Sequence, residues 1–135
     1  MGAAQGSVVL RGYVISGLGK SRLFTGIPWV RDQFVSRLGI DPWLGTLNLR
    51  IVEEDLPKLE RLKKQTGIEL LPQEPGFCSA KSFRATINGK VSGAVLFPGV
   101  ENYPTWQMEI VSQKQLRQEL ALKEGDEVRV EVILD

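Results

Sequence analysis

The sequence predicts a small, mainly β protein with short helices between its strands, an α+β chain closing into a barrel. Three observations carry this. Short apolar segments with period-two alternation recur along the chain, most cleanly in 83–87 and 127–134. Turn signals separate them, the strongest being Asn88-Gly89. The helical patterns are short and do not alternate regularly with strands, as a Rossmann-type sheet would require. The 135 residues read as one domain spanning 1–135, with a small, flexible-looking start at 1–6.

The elements follow in order. Residues 7–15 read as a strand, and a glycine-bearing loop follows, Ser16-Gly17-Leu18-Gly19-Lys20-Ser21-Arg22. A helix is predicted from Pro28 to Leu38: Val30, Phe34 and Leu38 recur every four residues, Pro28 suits the first turn and Gly39 can end it. A strand spans 46–52. A second helix spans about 55–66, with Asp55 as N-cap, Leu59 and Leu62 inward and Gly67 as stop. Short strand 68–71 precedes a turn-rich loop at 73–76. Strand 83–87, the Asn88-Gly89 turn and strand 91–97 form a hairpin. Strand 108–111 leads to Ser112-Gln113-Lys114-Gln115, a capping-box pattern opening a helix to about Leu120. Gly125-Asp126 turns the chain into a last strand, 127–134, with Val128, Val130 and Val132 on one face.

Composition narrows the chemistry. The net charge of +1 gives no field for gripping nucleic acid, and no apolar run approaches membrane-spanning length. One cysteine, Cys78, excludes an internal disulfide and fits a reducing, cytoplasmic setting and a small apolar packing role. A monomer acting on small molecules is expected. Histidine is absent, which removes Ser-His and Cys-His nucleophile pairs and every histidine metal site. Carboxylates, Lys/Arg, hydroxyls, backbone amides and a bound metal remain. Phosphoryl transfer suits that inventory, because it depends on positioning and charge neutralisation.

Gly45-Thr46-Leu47-Asn48 is the most informative stretch. Thr46 and Asn48 are two apart on a predicted strand, so a hydroxyl and an amide oxygen share one face. Both are hard neutral donors of the kind Mg²⁺ accepts while phosphates and water fill its remaining positions. A strand start with a polar side is the plainer alternative. Gly17-Leu18-Gly19-Lys20-Ser21 lacks the upstream glycine of a P-loop, since Val14 stands there, yet it could present amides and cations to phosphate. Glu109 points away from Met108 and Ile110, into solvent or into a site. Lys114 and Arg117 are expected on one helix face near its N-terminus, as surface charges or an anion site. Trp29, Trp43 and Trp106 read as packing residues, with Trp106 the most suited to stack on a planar ring.

In order, Val14-Ile15-Ser16-Gly17-Leu18-Gly19, Gly45-Thr46-Leu47-Asn48-Leu49, Glu109-Ile110-Val111, Leu116-Arg117 and Gly125-Asp126-Glu127-Val128 resemble the archaeal-type CTP-dependent riboflavin kinases over about residues 8–133. The resemblance implies a six-stranded cradle-loop β-barrel that moves the γ-phosphate of CTP to the 5′-hydroxyl of riboflavin, giving FMN and CDP. It implies Thr46 and Asn48 as Mg²⁺ ligands. It implies nucleotide contacts from Gly17, Leu18, Gly19, Lys20, Ser21 and Arg22, and from Lys114, Gln115, Leu116 and Arg117. Glu101 and Glu109 match its flavin-contacting positions, and Glu109 is the candidate general base.

The chain departs from the family pattern at Lys20 and Ser21, which replace an acid and a glycine, at Glu101, which replaces a threonine, and at Ser112-Gln113, where the family has Ala-Pro. The metal pair is intact while the phosphate and flavin loops have drifted. A noncatalytic flavin- or nucleotide-binding module of the same fold is the alternative. A DNA-binding regulator is disfavoured by the balanced charge and by the lack of room for a winged helix ahead of residue 7.

Overall fold

A computed structural model of the chain describes residues 6–16, 26–73 and 79–134. The expected phosphate loop from Gly17 to Arg22, the 74–76 turn and Cys78 lie outside the described residues.

Strand β1 (Ser7–Ile15) pairs antiparallel with β2 (Leu47–Ile51) on one side and with β7 (Glu127–Ile133) on the other. Strand β2 pairs with β6 (Gln107–Val111), β6 with β5 (Val91–Pro98), and β5 with β4 (Ala80–Ile87). The second half of β4 then pairs with β7, which closes six strands into a barrel. The first half of β4 instead takes β3 (Ile68–Leu70) on that same edge. Closure leaves the six strands without the long free edges of an open sheet.

Alternation fills the interior. Leu10, Val14, Leu49, Ile87, Val95, Met108, Ile110, Val128, Val130 and Val132 are all buried in one cluster. Helix α2 (Leu56–Lys63) adds Leu59 and Leu62 to it, and the short α3 (Leu116–Glu119) adds Leu116. Helix α1 (Pro28–Gln33) continues through a π-helical turn, Phe34–Leu38. Its Val30, Phe34 and Leu38 pack outside the barrel on Ala94, Leu96 and Val111. Gly39, at φ 69°, ends that turn, with its N–H on Val35 O and the Ile40 N–H on Phe34 O. The Asn88-Gly89 turn has φ of 52° and 65° at its two residues, the left-handed pair that a tight hairpin requires.

Three sequence expectations need correction. Strand β4 begins at Ala80, three residues earlier than the alternation suggests, because Ser82 is buried and its hydroxyl donates to Ile68 O at 2.7 Å, inside the β3 pairing. Asp55 stands at the N-cap position of α2 but makes no side-chain cap bond. Its carboxylate instead accepts from Arg11 N at 2.9 Å and Arg11 Nε at 3.3 Å, with Lys58 Nζ 3.7 Å away. The third correction is the cap of α3. Gln115 occupies it, its side chain accepting from Gln118 N at 2.6 Å, while Ser112 Oγ donates to Ser92 O and accepts from Lys114 N. Lys114 therefore precedes the helix and does not share a helix face with Arg117.

Asp55 is a buried tie between β1 and α2. Desolvation raises its pKa, but the Arg11 backbone N–H, the Arg11 guanidinium and Lys58 together outweigh that and hold it below the ordinary aspartate value. A depressed folded pKa contributes stability above the unfolded value and loses it as pH falls through the folded one. Asp55→Ala should cost roughly 2 kcal/mol at neutral pH. That cost should shrink as pH drops from the ordinary value of 3.8 downward. Urea midpoints of both proteins at neutral and acid pH measure this; an equal cost at both would place the effect outside the ion pair.

Candidate active site

Strands β2 and β6 lie side by side with Leu47 opposite Ile110, Asn48 opposite Glu109 and Leu49 opposite Met108. Leu47, Leu49, Met108 and Ile110 are buried in the barrel, so Asn48 and Glu109 share its outer face. Gly45, at φ 100°, turns the chain into β2 and brings Thr46 beside them. The aromatic-proline turn before it is anchored to the end of β6, where Trp43 N donates to Ser112 O at 2.8 Å.

Hydrogen bonds join the outer-face groups. Thr46 Oγ1 donates to Glu109 Oε1 at 2.9 Å, and Tyr103 Oη donates to Glu109 Oε2 at 2.7 Å. Gln107 Nε2 donates to Asn48 Oδ1 at 2.8 Å. Asn48 is buried and Glu109 half-buried. Burial raises the Tyr103 phenol pKa far above its ordinary value, and the adjacent Glu109 charge and hydrogen bond raise it further. Tyr103 is thus a fixed donor.

The residues that lead into the expected phosphate loop are close by. Ile15, the last residue of β1, pairs with Asn48. Arg117 Nη2 donates to Ile15 O at 3.3 Å, and Ser16 Oγ to Glu124 Oε1 at 2.6 Å. Thr46, Asn48, Glu109 and Arg117 are therefore gathered around the ends of β1, β2 and β6. Other expected site residues are placed differently. Leu116 is buried in the core, so its side chain faces away from any ligand. The Gln115 side chain is engaged in capping α3. Lys114 is exposed, on the rim of a cavity of about 420 Å³. That cavity opens along the β4–β5 hairpin, past Gly39, Thr86 and Ser92, and includes none of Thr46, Asn48 and Glu109. Glu101 is exposed in the turn ahead of Tyr103.

Two neighbours escaped the sequence reading. Gln107 was legible in principle, since it lies two residues before Glu109 on one strand and so shares its face. Tyr103 gave no periodic signal, because it sits in an irregular loop. The tryptophans also divide. Trp29 packs on the outer apolar cluster, Trp43 is 53% exposed and is not a packing residue, and Trp106 carries the Arg50 guanidinium 4.4 Å above its ring.

The donor set suits a hard divalent cation. Thr46 Oγ1 and Asn48 Oδ1 are neutral oxygens beside the Glu109 carboxylate. Among the described residues no three acids or thiols form a protein-only cage. Two protein oxygens with the rest supplied by phosphate and water is the arrangement Mg²⁺ favours.

Comparison with known proteins agrees with this architecture. The family model CTP-dep_RFKase, described as "Domain of unknown function DUF120", matches residues 14–132. A protein of Archaeoglobus fulgidus named riboflavin kinase is 39% identical over 133 residues, covering 96% of this chain and 57% of that protein. A riboflavin kinase of Thermoplasma volcanium is 38% identical over 129 residues, covering 93% of this chain and 58% of that protein. The chain thus spans less than two thirds of these relatives. It covers 95% of the riboflavin kinase of Sulfurisphaera tokodaii, at 37% identity over 130 residues and 93% of this chain. A family match over nearly the whole barrel, with relatives this similar, means that the chain belongs to the archaeal-type CTP-dependent riboflavin kinase family.

Proposed function

We propose that this chain transfers the γ-phosphate of CTP to the 5′-hydroxyl of riboflavin, giving FMN and CDP, with Mg²⁺ required. The observation that carries the reading is the outer-face cluster of Thr46, Asn48 and Glu109 at the root of the loop beginning Ser16-Gly17. It stands in a chain whose relatives bear the name riboflavin kinase.

The chemistry is a displacement at phosphorus. The riboflavin 5′-oxygen forms a bond to the γ-phosphorus, the bond to the bridging oxygen breaks, and CDP leaves with that electron pair. Thr46 Oγ1 and Asn48 Oδ1 would hold Mg²⁺, which when bound neutralises charge on the phosphate oxygens. Glu109 would orient the acceptor hydroxyl and take its proton. Its Oε1 and Oε2 each accept one hydrogen bond, which leaves lone pairs on both. Arg117 lies at the root of the loop carrying Gly17 to Arg22, which supports a shared role with Lys114 in binding the nucleotide. Glu101 is assigned to the flavin side.

The purified protein, incubated with riboflavin, Mg²⁺ and each of CTP, ATP, GTP and UTP, should yield FMN with CTP. FMN mainly with another nucleotide would keep the transfer and overturn the donor assignment. No FMN from folded protein that binds ligand in calorimetry would favour the noncatalytic module that Lys20, Ser21 and Glu101 suggest. Thr46→Ala combined with Asn48→Ala should abolish transfer while the thermal transition persists; unchanged turnover would refute the metal assignment. Glu109→Ala should bring ionisation of Tyr103 to lower pH, read as phenolate absorbance appearing earlier in an alkaline titration of folded protein. An unmoved titration would mean that burial alone holds that phenol protonated.

A further inference from the structure

We propose that Tyr103 and Gln107 are positioning residues that fix the two cation-facing oxygens, Tyr103 acting through Glu109 on Thr46 and Gln107 acting directly on Asn48. The inference rests on the metal reading of Thr46 and Asn48 and adds what makes that pair competent.

A threonine hydroxyl has one proton and two lone pairs, and only a lone pair can meet a cation. In the structure the Thr46 proton is directed at Glu109 Oε1, 2.9 Å away, so the lone pairs face elsewhere. That direction holds only while Glu109 keeps its place. Tyr103 Oη holds the other carboxylate oxygen at 2.7 Å, and this phenol remains a donor because burial and the Glu109 charge both oppose its ionisation. The loop bearing Tyr103 is folded back on itself, with Tyr103 N on Val100 O and Gln107 N on Pro104 O. The phenol is thus delivered by an anchored turn.

Asn48 poses a different problem. Its amide has an oxygen end that can ligate and a nitrogen end that cannot. Gln107 Nε2 donates to Asn48 Oδ1 at 2.8 Å across the β2–β6 pair. Turning the Asn48 amide over alone would set NH₂ against NH₂, so this bond couples the orientation of Asn48 to that of Gln107. A carbonyl oxygen has two lone pairs, which leaves one for a cation.

The charge pattern sets this cluster apart from an ordinary structural tie. Among the described residues, the partners of Glu109 are the neutral hydroxyls of Thr46 and Tyr103. No described lysine or arginine pairs with it, unlike Asp41 and Asp55. Among the described residues this half-buried carboxylate meets neutral donors on the face where Thr46 and Asn48 present oxygen, and no cation there is already paired with it.

The test uses Tyr103→Phe and Gln107→Met, each of which removes one donor and retains bulk. Mn²⁺ binding to the protein in the presence of CDP is measured by electron paramagnetic resonance, and the Mg²⁺ dependence of FMN formation is measured alongside. Outer partners of metal ligands change affinity by about 10-fold or more. Each variant should weaken Mn²⁺ binding by that order and raise the Mg²⁺ needed for half-maximal rate. In Gln107→Met riboflavin KM should stay unchanged and kcat should recover at high Mg²⁺; Tyr103→Phe also loosens Glu109 and is judged on its Mn²⁺ affinity. Unaltered Mn²⁺ affinity in a variant overturns the assignment for that residue. A uniform loss of kcat that Mg²⁺ does not restore, with Mn²⁺ affinity intact, overturns it as well. Thr46→Ala separates the two levels: if it too leaves Mn²⁺ affinity unchanged, the metal reading itself fails.

Discussion

The register between β2 and β6 is the constraint on which the outer-face cluster depends. Leu47 and Leu49 on one strand, and Met108 and Ile110 on the other, are all buried in the barrel. Side chains alternate along a strand, so these four apolar residues oblige Asn48 and Glu109 to face outward. A slip of one residue in either strand would place an amide or a carboxylate in the core and an aliphatic side chain outside. Burying each aliphatic side chain stabilises the fold by about 1.5–3 kcal/mol, so the alternative register is strongly disfavoured. The cluster inherits its geometry from hydrophobic packing on the other side of the same sheet.

Asp55 and Glu109 show how burial and partners separate two carboxylates. Asp55 is 5% exposed at its side chain and is met by a backbone N–H, a guanidinium and a lysine. Its charge is consumed internally, which suits a tie between β1 and α2. Glu109 accepts from two hydroxyls, and the described residues bring no cation to it. The first arrangement is closed and the second is open to a further positive group. A reader of the sequence sees two acids; the difference arises only from which residues the barrel sets against each.

Much of the fold was legible because alternation and turn chemistry are local. The segment 127–134 announced β7, Asn88-Gly89 announced the hairpin, and the four-residue spacing of Val30, Phe34 and Leu38 announced α1. Thr46, Asn48 and Glu109 were legible as side chains on particular strand faces, though not as hydrogen-bonded neighbours. The failures have a common cause. Asp55, Ser112 and Trp43 were assigned by local pattern, but each was claimed or released by something distant in sequence. Arg11 takes Asp55, Ser92 takes the Ser112 hydroxyl, and Trp43 is left 53% exposed. Short polar side chains have several local bonding options of similar energy, and a partner many residues away decides among them. Tyr103 was invisible for the same reason, since its role depends on where an irregular loop comes to rest.

The end of the barrel near α3 links the proposed nucleotide segments through the core. Leu116 is buried among barrel residues, and this fixes Lys114 and Arg117 on its two sides. From there Arg117 reaches back to Ile15 O, where the chain enters the loop beginning Ser16-Gly17. Val14 N donates to Asp126 O and Gly125 N to Val14 O, which binds the last residues of β1 to the turn before β7. Ile15 in turn pairs with Asn48. The backbone ahead of the loop beginning Ser16-Gly17, the Arg117 guanidinium and the Asn48 amide are therefore tied to the same closed barrel. Lys114, whose exposed side chain no described bond ties down, and Glu101 in its exposed turn stand outside this frame.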